Sequence, residues 1–384
     1  EFDIWDGTTA TNFAGGTGTK EDPYLISNGA ELHYLANITN AADTQGKYFK
    51  LTNDIYLNNV FDSNWKANAK PWSSTGLFRG HLDGDGHVIY GVYYVKTSGW
   101  SALLNSTHCA DSTDTPQNPI SIKNLGIENS YFNGKFAGAI LGKPDGNTYA
   151  HFTMENCYAG ADVEVISKHT SGRCGGLIAS IEKKNVTINN CYFTGKIGAG
   201  KFKGGLVGFI TATQDVAKTV KISNSYIVTD VPVVSDSTYA GSQYVKYDNV
   251  YSTEELSNVT GITVLTKEQM TGEAAKTNML GLDFTLFWKT DAGSTPKLYT
   301  PAERSKKIWD GTTATNFAGG TGTKTDPYLI SNGAELHKMA MAGAGGTKGK
   351  YYKLTDNIYL NDVSNSDWKT NAKPWSSKAF YGHL

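Results

Sequence analysis

The stretch MENCYAGA, residues 154–161, recurs along the chain at a regular interval. Residues 188–195 read INNCYFTG and residues 222–229 read ISNSYIVT, so all three share the frame hydrophobic-x-Asn-[Ser/Cys]-Tyr. The fourth positions of this frame are 34 residues apart (191 − 157 and 225 − 191), at Cys157, Cys191 and Ser225. A period of this size is typical of proteins in which each structural repeat packs only on its neighbours. The sequence therefore predicts a solenoid.

The residues around these frames indicate β-strands. Residues 152–157 (FTMENC) and 186–191 (VTINNC) alternate apolar and polar side chains, which is the pattern of a half-buried strand. Val, Ile, Thr, Tyr and Phe, which favour strands, dominate both runs. Glycine-rich pieces, where the chain can turn corners, separate the frames: FAGAILG (136–142), CGGLIAS (174–180) and GGLVGF (204–209). We predict an all-β fold, a parallel β-helix with short capping helices.

Stacked coils would align equivalent side chains in ladders. Cys157 and Cys191 are expected to stack inside as small buried hydrophobes, with a disulfide between neighbouring coils as the alternative. A further frame, IENSYFNG (127–134), adds one tyrosine to a ladder of Tyr131, Tyr158, Tyr192 and Tyr226. Because Ile and Tyr share parity within the frame, we expect an inward ladder. An outward ladder would instead form a flat platform for an extended glycan.

A second, much longer repeat joins the two ends of the chain. Residues 4–36 and 308–340 differ only at Glu21/Thr325, Tyr34/Lys338 and Leu35/Met339. The match continues to the end of the chain, where residues 379–384 correspond to the segment that ends at residue 82. This fidelity predicts near-identical tandem modules, with further copies in the parent chain. Such an arrangement suits a surface protein that gains avidity better than it suits a catalyst.

The repeats set the expected domain organisation. The predicted parts are a module at 1–300 (cap about 4–60, coils about 75–250, closure about 251–300), a linker at 301–307 and a truncated second module at 308–384. Because a cap needs the coils that follow it to bury its apolar face, the second copy is expected to be an incomplete fold. Capping-box patterns predict short helices that begin near Asn28, Ser252 and Thr266.

Composition restricts the function classes. The formal net charge of −1 and the lack of a basic stripe argue against nucleic-acid binding and against a polybasic membrane anchor. No run is apolar and long enough for membrane insertion, and the start has no signal-peptide pattern. Glu1 and Leu384 are interpreted as fragment boundaries, so a secretion signal or cell-wall anchor would lie outside them. Four cysteines without a CxxC pair argue against a disulfide scaffold and a thiolate zinc site.

In these motifs and their order, the chain resembles bacterial secreted proteins with GLUG-type repeats. The resemblance is carried by WDG near residue 5, LTNDIYL (51–57), FRGHLDGDGHVIYGV (78–92) and the GGLVG pieces between the frames. It implies a right-handed parallel β-helix on a bacterial cell surface. Members are mostly adhesins or accessory regions of large extracellular enzymes, including IgA-type peptidases, and the repeats do not carry catalysis. The chain departs from the pattern at 98–106 and in the polar insertion 107–119.

Motifs for catalysis are sparse. GGTGTK (15–20) lacks the glycine that precedes the lysine of a phosphate-binding loop, so we interpret it as a tight turn. HLDGDGH (81–87) is interpreted as a β-turn, with a calcium site at Asp83 and Asp85 as the alternative and no other cofactor expected. HExxH is absent, no acidic ladder recurs at the coil period, and arginine is scarce. The sequence predicts that the module is not an enzyme.

Aromatic residues are the remaining functional signal, because flat rings stack on sugar faces. Trp65 lies in a polar stretch rich in Asn and Lys, and Trp100 lies beside the insertion. Tyr94, with its neighbour Tyr93, and Trp72 complete the predicted ligand-binding set, although Trp72 also fits packing within the cap.

The predicted function is non-catalytic adhesion outside a bacterial cell, on its surface or after secretion. The expected ligand is a polysaccharide, with a plant cell-wall glycan such as cellulose as the leading choice. The first alternative is a structural stalk, an accessory domain of a large secreted enzyme, or a protein-binding adhesin. The second is a polysaccharide-degrading β-helix enzyme.

Overall fold

The computed structural model describes residues 2–108, 118–145, 151–211, 219–235, 242–363 and 368–384. Contacts between Cα atoms divide the chain into two compact units. Unit 1 contains 1–282 and 290–296, and unit 2 contains 283–289 and 297–384. Most of the insertion 107–119, including Cys109, lies outside the described residues.

Unit 1 consists mostly of short β-strands. Its strands are β1 (Tyr24–Ile26), β2 (Tyr48–Leu51), β3 (Ile55–Tyr56), β4 (His81–Asp83), β5 (Val88–Tyr90), β6 (Tyr93–Val95), β7 (Trp100–Ser101), β8 (Leu104–Ser106), β9 (Ile120–Lys123), β10 (Gly126–Glu128), β11 (Tyr131–Asn133), β12 (Phe136–Gly138), β13 (Leu141–Lys143), β14 (His151–Glu155), β15 (Tyr158–Ala159), β16 (Glu164–Ile166), β17 (Arg173–Gly175), β18 (Ile181–Glu182), β19 (Asn185–Asn189), β20 (Tyr192–Phe193), β21 (Lys196–Ile197), β22 (Phe202–Gly204), β23 (Ile210–Thr211), β24 (Val220–Ile227), β25 (Val245–Ser252) and β26 (Ile262–Val264). Its helices are α1 (Gly29–Ala36), α2 (Ala41–Thr44), α3 (Glu273–Asn278) and a 3-10 helix (Trp65–Asn68).

The strands of unit 1 pair in parallel between successive passes of the chain, and we call each pass a rung. Thus β9, β10, β11 and β12 of one rung pair with β14, β15, β16 and β17 of the next. The largest sheet has 14 strands, and two four-stranded sheets have the orders β6-β11-β16-β21 and β7-β12-β17-β22. The prediction of a mostly β fold with large parallel sheets and few helices is confirmed, and this arrangement is compatible with a parallel β-helix.

Asparagines with positive φ turn the chain at one corner of the rungs. Asn156 (φ 53°) follows β14 and Asn190 (φ 50°) follows β19, and the side-chain amide of Asn190 donates to Asn156 Oδ1 at 3.2 Å. Asn156 donates in turn to Asn124 Oδ1 at 3.1 Å, and Asn249 to Asn224 Oδ1 at 3.2 Å. Asn tolerates this left-handed conformation better than other non-glycine residues. We call Asn124, Asn156, Asn190, Asn224 and Asn249 the asparagine corner.

The asparagine corner changes which side chains face inward. A left-handed residue interrupts the strand alternation, so Met154 and Cys157 both point into the core, whereas Tyr158 points outward. Tyr158, Tyr192 and Tyr226 stack with centroid separations of 4.7 and 5.1 Å and interplanar angles of 4° and 3°. The prediction that the tyrosine ladder faces inward is therefore wrong.

The outward tyrosine ladder is nevertheless covered. Tyr192 and Tyr226 are buried, and the Tyr226 hydroxyl donates to the carbonyl of Pro296 and shares a second hydrogen bond with Thr295 Oγ1. Residues 290–296 of the same unit thus close over the end of the ladder. Burial raises the pKa of the Tyr226 hydroxyl above its usual value, so the group stays neutral and available as a donor.

Tyr131 does not belong to this ladder. It pairs with Tyr93 and Glu164 in the sheet β6-β11-β16-β21. In its rung Asn124 occupies the asparagine corner, and Gly126 stands in the register position of Tyr158. The frame at 127–134 therefore lies at the next corner of its rung, beyond the asparagine corner at which the other frames lie.

Cys157 and Cys191 lie inside the stack, fully buried and free, so the predicted packing is confirmed. Burial raises the pKa of the Cys157 thiol, with a further contribution from the neighbouring Cys191. Ser225 takes the next position, and its hydroxyl accepts a hydrogen bond from Cys191 N at 3.0 Å. These side chains therefore form a small internal column.

The three capping-box patterns had different outcomes. The first is a helix, since Asn28 caps α1 by accepting a hydrogen bond from Glu31 N. The second is wrong, because Ser252 ends strand β25. The third forms reciprocal hydrogen bonds between Thr266 and Gln269, but Gly272 (φ 57°) interrupts the segment and α3 begins only afterwards.

Unit 2 contains a β-hairpin and the second copy of the cap. Its elements are β27 (Trp288–Lys289), β28 (Lys297–Leu298), α4 (Pro301–Ser305), β29 (Tyr328–Ile330), α5 (Gly333–Met341), α6 (Gly343–Thr347) and β30 (Tyr352–Leu354). Strands β27 and β28 pair antiparallel. The predicted linker 301–307 includes α4, which a capping box of Thr300 and Glu303 stabilises, with Pro301 in its first turn.

The second cap reproduces local contacts of the first but exposes its apolar face. The Trp309 indole donates to Thr312 O at 2.7 Å, as Trp5 does to Thr8 O at 2.7 Å. Trp375 is 39% exposed, whereas its counterpart Trp72 is 2% exposed. In unit 1 the rung that follows the cap covers Trp72.

Substitution at Asn190 tests the asparagine corner. Asn190→Ala is expected to cost about 2–3 kcal/mol, because a left-handed Ala costs about 1–2 kcal/mol and the lost hydrogen bond about 1 kcal/mol. Asn190→Gly keeps the conformation and should cost less. Chemical denaturation measures both, and equal losses for the two variants would contradict a role for the backbone conformation.

Candidate functional site

The structure removes two of the predicted aromatic residues from any exposed site. Tyr94 and Trp72 are each only 2% exposed and belong to the core. The Tyr94 hydroxyl accepts from Asn105 Nδ2 at 2.9 Å, and the Trp72 indole donates to Leu103 O at 3.0 Å. Tyr94 points inward because it alternates with the outward Tyr93. Neither ring offers a face to a ligand, so this part of the site prediction is wrong.

Trp65 and Tyr93 lie together. Trp65 begins the 3-10 helix and packs edge-on against Tyr93, with 6.3 Å between centroids, and it is only 9% exposed. Tyr93 stacks on Tyr131 at 5.6 Å, and Lys66 Nζ lies 5.0 Å from the Tyr131 ring centroid. Lys66 also pairs with Glu164 at 3.5 Å. The rings are held against one another and against charged groups, which leaves little ring face free.

Trp100 belongs to a different sheet, β7-β12-β17-β22. Its outward neighbours in register are Phe136, Arg173 and Phe202. Trp100 lies 4.6 Å from Phe136, and the Arg173 guanidinium lies 5.1 Å from Phe136 and 4.1 Å from Phe209. We call these five residues the cation–aromatic stack. Its ring faces contact neighbouring rungs, so it stabilises the pairing of the strands.

A cleft in the cap was not predicted from the sequence. It is lined by Asn12, Phe13, Gly15, Gly16, Tyr24, Tyr34, Ile38, Ala42, Asp43 and Lys47, and we call it the cap cleft. Phe13 lies at its centre, 5.1 Å from both Tyr24 and Tyr34 between centroids. All three rings are half-buried. The cleft combines aromatic surface with an amide, a carboxylate and an ammonium group.

Local sequence explains how this cleft forms. The glycine turn that begins at residue 15 brings its backbone against β1, where Leu25 N donates to Gly15 O at 2.9 Å. Gly16 has φ +83° and no room for a Cβ against the Pro23 carbonyl. The tight turn predicted for GGTGTK is therefore confirmed. Helix α1 then presents Tyr34 beside Phe13.

The second copy keeps the aromatic base of the cleft but changes its rim. Phe317 stacks on Tyr328 at 4.7 Å, as Phe13 does on Tyr24. Lys338 replaces Tyr34, and its Nζ lies 5.3 Å from the Phe317 centroid. This replacement, one of three in an otherwise identical stretch, was the signal in the sequence that could have directed attention to the cleft.

The HLDGDGH segment forms the predicted turn, with positive φ at Asp85 (52°) and Gly86 (87°). Its carboxylates pair with lysines: Asp83 with Lys123 at 3.2 Å and Asp85 with Lys50 at 2.9 Å. Within the described ranges, no group of three or more His, Cys, Asp or Glu residues is arranged to hold a metal ion.

Comparison with known proteins gives distant similarities. No family model matches the chain. It is 31% identical over 137 residues to a protein of Evansella cellulosilytica provisionally named a Gly-rich membrane protein, and 26% identical over 187 residues to Halomucin of Haloquadratum walsbyi. The alignments cover 36% and 47% of this chain, and the chain spans only 14% and 2% of those relatives.

Among solved structures, a provisionally assigned immunoglobulin A1 protease from Bacteroides ovatus is similar, with a TM-score of 0.47 and 19% identity. The alignment covers 74% of this chain and 95% of that chain. Every helix in the described part of the chain is too short or too polar to cross a bilayer.

His81, which begins the turn segment, makes stability depend on pH. Burial, with smaller contributions from Lys123 and Lys20, lowers the pKa of His81 from 6.5 to about 4. The unfolded chain therefore binds a proton more readily between these values, so stability should fall as the pH drops from about 6.5 to about 4.

Urea denaturation at several pH values measures this effect. His81→Gln should flatten the pH dependence but not remove it, because burial also lowers the pKa of His33 and His151. An unchanged slope in the variant would contradict the assignment to His81.

Proposed function

We propose that unit 1 is a right-handed parallel β-solenoid that acts as a non-catalytic adhesion module and binds a polysaccharide outside a bacterial cell. The rung-to-rung pairing of three parallel sheets supports the solenoid. Crossovers between parallel strands are almost always right-handed, which supports the hand.

The cap cleft is the observation that carries the proposed binding function. Binding sites are typically concave, with aromatic surface and a few polar groups that orient the ligand. Phe13, Tyr24 and Tyr34 supply rings against which a sugar face can pack, and Asn12 and Asp43 supply groups that bond hydroxyls. The cleft is open to solvent along its rim, where Asn12 and Asp43 are exposed. An uncharged cell-wall glycan such as cellulose fits this chemistry.

The repeat supports adhesion in particular. The Phe–Tyr base of the cleft occurs in both copies, so one polymer long enough to reach both can bind twice and dissociate slowly. This avidity slows dissociation without adding a contact to either site, which suits a surface protein. The difference at Lys338 changes the rim of the second cleft and leaves its base intact.

A structural stalk, within a large secreted enzyme or on its own, is the second candidate function. The cation–aromatic stack and the tyrosine ladder favour it, because their ring faces contact neighbouring rungs. A stalk without ligand binding would show no retention on any glycan. A polysaccharide-degrading enzyme would release reducing ends or unsaturated products, which we expect to be absent in an overnight digestion assay.

Retention on insoluble polysaccharides tests the cap cleft. Tyr34→Ala should weaken binding to cellulose or xylan about tenfold, because one aromatic contact contributes about 1.4 kcal/mol. Tyr34 packs on Phe13 at the rim and is half-buried, so the fold should persist, and thermal melting checks this.

Tyr90→Ala is the matched control, since Tyr90 is also half-buried and stacks on one neighbour, Tyr56. It should bind as the unmodified chain does. Equal retention of the Tyr34 and Tyr90 variants would remove the cap cleft from the proposed function.

A further inference from the structure

One corner of unit 1 carries a lysine in each of four successive rungs. This corner joins the sheets β6-β11-β16-β21 and β7-β12-β17-β22. Its connecting segments are 96–99, 134–135, 167–172 and 198–201. Each contains one lysine, and we call the set the lysine corner: Lys96, Lys135, Lys168 and Lys201. Lys135 is half-buried and the other three are exposed.

Backbone hydrogen bonds hold these segments in successive rungs. Arg173 N donates to Lys135 O at 3.0 Å, and Lys201 N donates to Gly172 O at 3.0 Å. The strands on both sides of the corner pair in parallel, so neighbouring rungs are about 4.8 Å apart. The four lysines therefore lie in successive rungs at two positions of the corner: Lys135 and Lys201 directly precede β12 and β22, whereas Lys96 and Lys168 follow β6 and β16.

The charges of the lysine corner are not neutralised within the described residues. No ion pair in that part of the chain joins any of the four lysines to a carboxylate. Glu164 of β16 pairs with Lys66 and Lys196, and Glu182 of β18 pairs with Arg173. The ammonium groups of Lys135 and Lys201 lie 5.1 and 5.2 Å from the ring centroids of the residues that follow them, Phe136 and Phe202.

We propose that the lysine corner is a binding site for a linear anionic polysaccharide that carries one carboxylate per sugar unit. Uncompensated charges carried by successive rungs suit a narrow, extended polyanion. The rings of Phe136 and Phe202 lie next to the ammonium groups of Lys135 and Lys201 and help to hold them at the corner. Duplex DNA, with two strands and about one charge per 1.7 Å of its axis, matches one charge per rung poorly. This site is separate from the cap cleft and does not depend on it.

The experiment uses the full chain and soluble polygalacturonate, with a neutral glucan of similar length for comparison. Binding to polygalacturonate should be strong at about 0.05 M salt and nearly lost at about 0.5 M, because it rests on screened charge pairs. The neutral glucan should not compete.

The variant with Gln at Lys96, Lys135, Lys168 and Lys201 should bind polygalacturonate at least about tenfold more weakly. The control replaces two exposed lysines of another sheet, Lys221→Gln and Lys246→Gln, which pair in β24 and β25. A double variant of the lysine corner, Lys135→Gln with Lys201→Gln, removes the same two charges as the control. This double variant should lose affinity for polygalacturonate, whereas the control should not.

Three outcomes would overturn the assignment: unchanged affinity in the fourfold variant, equal losses in the two double variants, or tighter binding of duplex DNA than of polygalacturonate. Tyr34→Ala should leave polygalacturonate binding unchanged. Failure of the cap cleft and failure of the lysine corner are therefore separate results.

Discussion

The left-handed asparagine is the constraint on which the rest of unit 1 depends. Asn124, Asn156 and Asn190 turn the backbone from one strand to the next, and hydrogen bonds of 3.1–3.2 Å join their side-chain amides between neighbouring rungs. One residue type thus supplies both the turn and the registration between rungs. Its effect on alternation sends the cysteines inward and the tyrosines outward, and so decides the composition of the core and of the covered outer face.

Aromatic residues in this protein divide between two roles. Those in ladders, such as Tyr158 and Tyr192, use their faces on each other, and those in the cation–aromatic stack use them on Arg173. Both arrangements add attraction across strands that already pair through their backbones. The rings of the cap cleft differ, because they gather around Phe13 in a concavity instead of following the rungs. Position relative to the rungs, more than exposure alone, separates structural rings from candidate binding rings.

The sequence predicted the repeat-driven features well. The 34-residue period matches the spacing of β14, β19 and β24, and the small buried cysteines were anticipated because Cys157 and Cys191 share a frame position. The face of the tyrosines was missed, since simple alternation takes no account of a left-handed Asn156. Tyr94 and Tyr93 are adjacent in sequence, and only the strand pairing shows that Tyr94 points inward. The cap cleft was missed because Phe13, Tyr24 and Tyr34 come together only after the glycine turn folds back on β1.

The exchange of Tyr34 for Lys338 makes the two caps unequal. The first cleft carries the aromatic ring of Tyr34 beside Phe13, whereas the second places an ammonium group beside the same Phe–Tyr base. Under the proposed function, the two copies would bind the same polymer with unequal strength, because only one of them carries the ammonium group at this position. The duplication would then supply two graded sites instead of two identical ones.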